Sequence, residues 1–207
     1  LKQVGIRILS SATSVEEARW LEVRGCDAVI AQGSEAGGHR GMFLSEDISQ
    51  QTGTLSLVSA VASAVQIPVI AAGGIADPQG IVAALAAGAS AIQLGTAYLL
   101  CPEVKISKIY RDALKGQSPT ALTNVFSGRP ARGLMNRFVR EMGPLSELAP
   151  PFPLASVAVA PLRKRSEELG SSDFLQMWAG ESFPLCREMP ARELTQYLAS
   201  ETLARLV

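Results

Sequence analysis

Histidine is nearly absent from this chain: His39 is the only one among 207 residues. Cysteine is scarce as well, and Cys26, Cys101 and Cys186 are odd in number, far apart and never arranged as Cys-x-x-Cys. A metal centre of imidazole and thiolate ligands needs three or four such groups, so no metal site is expected. The same spacing argues against a disulfide framework and for reduced thiols in a cytoplasmic protein. Net charge is also missing, since 19 Lys and Arg balance 19 Asp and Glu. Bulk electrostatics therefore favours neither nucleic acid nor an anionic membrane. No basic segment precedes an apolar run near the start, so no signal peptide is read. The chain begins at Leu1, without methionine, one short turn before a strand, which reads as a missing start. Two stretches, 48–76 and 78–102, carry no charge at all. Gly, Pro, Gln, Ser and Thr interrupt both, so they read as strand–helix–strand alternation and not as membrane spans.

The chain does have apolar residues enough for a sizeable core, 47% against 18% charged. The first half alternates strand and helix four times. Arg7–Ser10 reads as a strand, and Ser14 with Glu17 three positions on has the pattern of a capping box opening a helix that Gly25 closes. Cys26–Ile30 is the second strand. Leu57, Val58, Val61 and Val65 mark the next helix by their spacing. Pro68–Ala71 is the third strand, and Asp77-Pro78 opens a helix with an acceptor at the cap and proline at the first position. Ala89–Leu94 is the fourth strand. Continuously apolar strands separated by helices indicate a parallel sheet, either doubly wound or a (β/α)8 barrel.

Glycine-bearing turns decide for the barrel. Gly73-Gly74 and Gln93-Leu94-Gly95-Thr96 end successive strands, where barrels hold a phosphate after strands seven and eight. No further unit follows, so the four strands read as the last four of a TIM-type barrel over 1–103, with the first four absent. Residues 104–207 read as a helical, proline-rich segment packing on the barrel, too irregular for a core of its own. Within it Leu134–Met142, Phe174–Ala179 and Ala191–Leu206 are expected to be helical. Arg129, Arg132, Arg137 and Arg140 read mainly as a solvated face, and Trp178 as a packing residue.

The chemistry is expected in Ala31-Gln32-Gly33-Ser34-Glu35-Ala36-Gly37-Gly38-His39-Arg40-Gly41, after the second strand. Its glycines allow close backbone approach. Gln32, Glu35 and His39 add an amide, a carboxylate and a group that exchanges a proton near neutral pH.

This loop, the segments Ile67–Ile75 and Gly88–Thr96, then Phe126–Gly133 and Trp178-Ala179-Gly180, resemble in that order the nitronate monooxygenases, formerly called 2-nitropropane dioxygenases. The resemblance covers nearly the whole chain. It implies FMN at the carboxyl end of a TIM barrel. Gln32 would contact the ring system and Gly37 would lie against the cofactor, while Gly73, Gly74, Gln93, Leu94, Gly95 and Thr96 would hold the phosphate. A bulky residue at Gly74 would then expel the flavin. His39 matches the catalytic base beside a nitronate substrate, which reacts with dioxygen to give a carbonyl compound and nitrite. The resemblance implies neither metal nor nicotinamide, and an N-terminal half barrel from the same gene. Position 181 is Glu where the family pattern leads one to expect glutamine. Two alternatives stay open: a flavin-dependent enoyl-ACP reductase, and a non-catalytic flavin- or phosphate-binding fragment.

Overall fold

A computed structural model describes residues 1–207. In chain order its strands and α-helices are β1 (Leu9–Ala12), α1 (Val15–Val23), β2 (Ala28–Gln32), β3 (Gly38–His39), α2 (Thr54–Ala62), β4 (Val69–Ala72), α3 (Pro78–Ala86) and β5 (Ala91–Gln93). There follow α4 (Lys108–Leu114), β6 (Thr120–Thr123), β7 (Ala131–Leu134), α5 (Arg137–Met142), α6 (Leu154–Ala158), α7 (Ala160–Glu168) and α8 (Ala191–Leu206). The chain forms two compact units, one of residues 1–36, 41–95 and 192–207, the other of 37–40 and 96–191. No helix is long and apolar enough to cross a membrane.

The first unit is an α/β layer. Its four strands are all parallel, in the order β1-β2-β4-β5, with Val29 opposite Val69 and Ile70 opposite Ala91. The strands begin and end about two residues later than their apolar runs suggest at β1 and β2. Val29, Val58 and Val61 are fully buried between sheet and helices, each worth roughly 1.5–3 kcal/mol of burial. The helix starts follow from local chemistry. Asp77 accepts from Gly80 N–H at 2.8 Å with Pro78 at the first helical position. Ser14 accepts from Glu17 N–H at 3.2 Å.

The reciprocal half of that capping box is not made. The Glu17 carboxylate, almost fully buried, instead accepts from Thr13 N–H (2.6 Å) and Thr13 Oγ1 (2.8 Å) on one oxygen. Its other oxygen accepts from the N–H groups of Phe43 (2.5 Å) and Leu44 (3.1 Å). A single carboxylate thus ties the end of β1 to the segment that follows the glycine loop.

The second unit corrects the expectation that the C-terminal stretch lacks a core. It contains a three-stranded antiparallel sheet, β3-β7-β6, and two buried clusters. One gathers Leu100, Leu114, Leu134, Leu175, Met177 and Phe183, the other Val125, Phe126, Phe138, Val139 and Val159. The expected helix from Leu134 begins only at Arg137, because residues 131–134 pair with β6 and Asn136 caps the helix by accepting from Val139 N–H. Phe174–Ala179 is not helical either. Leu134 N–H donates to Met177 C=O at 2.8 Å, and Gly133 bridges Trp178. A Cβ at Gly133 would stand 2.7 Å from that carbonyl oxygen, so the close approach requires glycine. Ala191–Leu206 is helical as expected.

Burial alone would raise the Glu17 carboxyl, but the donors from Phe43, Thr13 and Leu44 outweigh it and hold it below its ordinary 4.5. Glu17→Gln places an amide NH2 against one pair of these donors, and should lower unfolding free energy by about 1–3 kcal/mol in urea titration at pH 7. Because the folded-state value is the lower one, the stabilisation is present above 4.5 and fades as pH falls through it. The wild-type advantage over the variant should therefore shrink on acidification.

Candidate functional site

In the first unit, the glycine loop leaves β2 at Gln32. Gln32 Oε1 accepts from Gly41 N–H at 2.7 Å, which fixes the amide orientation and turns the NH2 group the other way. Glu35, read from the sequence as a carboxylate beside the chemistry, has a different task. It accepts from Thr54 N–H (2.9 and 3.0 Å) and Thr54 Oγ1 (2.9 Å), supplying α2 with the N-terminal acceptor that Gly53 lacks.

Gly73 and Gly74 follow β4 with φ of +110° and +66°, which L side chains rarely adopt. A Cβ at Gly73 would lie 2.8 Å from Ala36 N, and one at Gly74 would lie 2.9 Å from Glu35 Cβ. Their lack of side chains is thus used inside the protein. A bulky residue at Gly74 would break the turn before it excluded a ligand, so that substitution does not test phosphate binding. Gly95 differs. It is exposed, its φ is ordinary, and a Cβ there meets nothing within 4 Å. Its N–H donates to no acceptor in the chain. Open space beside an unengaged backbone donor suits an anionic oxygen. Gln93, the last residue of β5, is exposed.

In the second unit, Thr96 accepts from Gly180 N–H at 3.0 Å through Oγ1 and keeps its own hydroxyl proton for another acceptor. Gly37 packs against the same segment: a Cβ would lie 2.5 Å from Gly180 N and 2.7 Å from Ala179 C. The backbone of the Trp-Ala-Gly segment, not open space, explains why residue 37 is glycine.

His39 is half-buried and lies in a strand, not in a free loop, paired opposite Ala131 of β7. Its Nε2 is 2.9 Å from Ser127 Oγ. The rings of Trp178 and Phe152 stand edge-on to the imidazole, with centroids at 5.5 and 5.8 Å. Burial, then the charges of Arg129 and Arg40, push the imidazole below its usual 6.5. It is therefore neutral near pH 7 and able to accept a proton. Trp178, read as a packing residue, also touches Phe126 at 5.8 Å and so joins the core to the site. Ser127 was not singled out. It is 2% exposed, and a lone serine in Phe-Ser-Gly-Arg carries no periodic signal.

The arginines do not form one solvated face. Arg132 is buried in β7 and pairs with Glu181 at 2.9 Å and Thr120 Oγ1 at 3.1 Å. This gives Glu181 a role that sequence reading could not supply. Arg137 is exposed and pairs with Glu141. All three cysteines are free thiols. Burial, with Cys101 nearby, pushes the Cys186 thiol up to about 12, so thiolate chemistry is disfavoured there.

Residues 1–201 match the family model described as nitronate monooxygenase. A nitronate monooxygenase of Pseudomonas aeruginosa is 48% identical over 97% of this chain, and a probable nitronate monooxygenase of Staphylococcus aureus is 39% identical over the same share. The chain spans 58% of the length of each. Among solved structures, a nitroalkane oxidase from Streptomyces ansochromogenes superposes with a TM-score of 0.91 at 45% identity, covering 99% of this chain and 59% of that one. FabK from Thermotoga maritima superposes with a TM-score of 0.79 at 32% identity, covering 100% and 64%. With the loop around His39, the paired glycine turns and the Trp-Ala-Gly segment all inside the matched span, the chain belongs to the nitronate monooxygenase family.

Proposed function

We propose that this chain carries the flavin-holding and acid–base residues of a cytoplasmic enzyme that oxidises alkyl nitronates with dioxygen to a carbonyl compound and nitrite. Neutral nitroalkanes would enter after loss of a proton. In this reading the four parallel strands are the last four units of a (β/α)8 barrel, whose first half comes from the same gene. The near-complete superposition on 59% of the nitroalkane oxidase chain supports it. The observation that carries the functional reading is the placement of His39, a half-buried imidazole 2.9 Å from Ser127 Oγ with the rings of Trp178 and Phe152 edge-on to it, which burial and flanking arginines push below its usual titration range.

The cofactor in this reading is FMN, and the donors present fit its phosphate. Gly95 N–H and the Thr96 hydroxyl would hold phosphate oxygens, with Gly73, Gly74, Gln93 and Leu94 shaping the surrounding turns. Gln32 would contact the ring system, and Gly37 would act by admitting the backbone of residues 179–180. Bound FMN would supply the electron transfer that side chains cannot. The chain's own task is to hold that group, admit a small apolar nitro compound and remove its α-proton. Enoyl-ACP reduction with NAD(P)H is the weaker reading, since the likeness to FabK is lower in both identity and TM-score.

On the flavin-loaded full-length enzyme, His39→Asn should cut turnover of a neutral nitroalkane by about 10²–10⁴-fold, the usual worth of a general base. Turnover of preformed nitronate, already deprotonated, should fall far less. Equal losses would mean that His39 positions substrate instead of moving a proton. In the wild type, the acid limb of the nitroalkane rate should have its midpoint below pH 6.5, because the folded imidazole takes its proton at lower pH than a free one. A limb above 6.5 would contradict the base assignment. Gly95→Val, which strains no turn, should leave the thermal melt of the apoprotein unchanged and lower the ratio of flavin to protein absorbance. Stoichiometric flavin in that variant would remove residue 95 from the phosphate site.

A further inference from the structure

We propose that the second unit holds a further binding site, for a small phosphate monoester with an apolar substituent, in a cavity lined by one face of α7. Neither His39, Ser127 nor any of the glycine turns lines this cavity. Its volume is about 380 Å³, within the range of small-ligand sites. From α7 come Ala160, Arg163, Lys164 and Glu167, at the i, i+3, i+4 and i+7 spacing that puts side chains on one side of a helix. Residues 105–107, Tyr110 and residues 175–177 complete the lining. Leu175 and Met177 are buried and supply apolar surface. The Tyr110 hydroxyl is given to the Trp178 carbonyl, which leaves its ring to face a ligand.

Charge on this lining is unbalanced, although the chain as a whole is neutral. Lys105, Arg163 and Lys164 stand against Glu167 alone, which leaves two positive charges. Other cations of α4 and α7 are neutralised locally, Lys108 by Asp112 at 2.5 Å and Arg165 by Glu168 at 3.1 Å. None of the three lining cations has a carboxylate within 4 Å, Glu167 included. Arg163 is half-buried and already oriented, since its Nη1 donates to Gln176 Oε1 at 2.9 Å. A guanidinium keeps further donors in a planar fork that matches phosphate oxygens. A phosphate monoester carries about −1.5 to −2 charge at neutral pH, which meets the two unbalanced positive charges. A single carboxylate would leave one of them over. The apolar part of the lining then favours an ester with a hydrocarbon substituent over the free ion. Glu167 opposes any anion from the same helix face as Lys164, so the two residues should act with opposite sign.

The test titrates phenyl phosphate into the full-length, flavin-loaded protein by calorimetry at low salt, so that the turns proposed for the FMN phosphate are already filled. Binding should saturate with a Kd of about 1 mM or tighter, and should weaken as salt is added, because the lysines are exposed and screened. Arg163→Gln should weaken it by about tenfold, the loss of a charge-assisted fork. Lys164→Gln should weaken it by about threefold and Glu167→Gln should tighten it by a similar factor. Lys164 and Glu167 are both exposed, so these two variants fold and decide the matter even if Arg163→Gln does not. Absence of saturable binding up to about 10 mM overturns the proposal. So do Lys164→Gln and Glu167→Gln proteins whose affinities are unchanged or shift the same way. Benzoate binding as tightly as phenyl phosphate overturns the phosphate assignment, and inorganic phosphate binding as tightly overturns the apolar half of the site.

Discussion

The backbone of Ala36 approaches Gly73, and the Glu35 side chain approaches Gly74, so closely that a Cβ at either glycine would stand under 3 Å from a neighbour. Much of the first unit depends on that contact. It makes the turn after β4 adopt left-handed backbone twice in succession, and it carries the Glu35 carboxylate to the first residue of α2. Gly33 is pressed on the same point from another side, where a Cβ would stand 2.5 Å from Thr54 N. Loop, turn and helix start are therefore one packed object.

In the proposed reading, the surroundings of His39 meet an electrostatic requirement. A general base working near neutral pH must be unprotonated yet basic enough to compete for a carbon-bound hydrogen. Burial and two guanidinium groups lower the imidazole, and the partner at Nε2 is a neutral hydroxyl. A carboxylate there would raise the imidazole and hold the proton once taken. In the same strand as Ala131, buried Arg132 pairs with exposed Glu181. That pair anchors β7, on which His39 is paired.

Legibility in the sequence followed contact distance. The four helix starts at Ser14, Asp77, Ser107 and Asn136 are each made by a side chain reaching an N–H three residues on. The first two were readable for that reason. Asn136 was missed because the expected helix already began at Leu134, and nothing local says that residues 131–134 have a partner strand. The apolar runs of β2, β4 and β5 were readable as strands, but their ends were not, since pairing register decides where a ladder stops. From the sequence, Glu17 reads as a capping partner and Glu35 as a carboxylate in the loop expected to carry the chemistry. Each is in fact a staple between segments that lie 19 to 27 positions apart.

By itself the sequence determined the parallel α/β alternation, the glycine turns at strand ends, the lone histidine and the order of motifs that marks the family. These are properties of composition, spacing and short-range hydrogen bonding, which survive in one dimension. Tertiary structure alone decided that residues 174–178 are not helical, because Met177 receives a backbone bond from Leu134. It alone decided that Gly37 answers to Gly180, and that Glu181 has a partner in Arg132. It also decided what surrounds the imidazole. His39 and Ser127 stand 88 positions apart. A serine becomes the partner of a histidine only when two strands and a turn bring one hydroxyl to the edge of the ring.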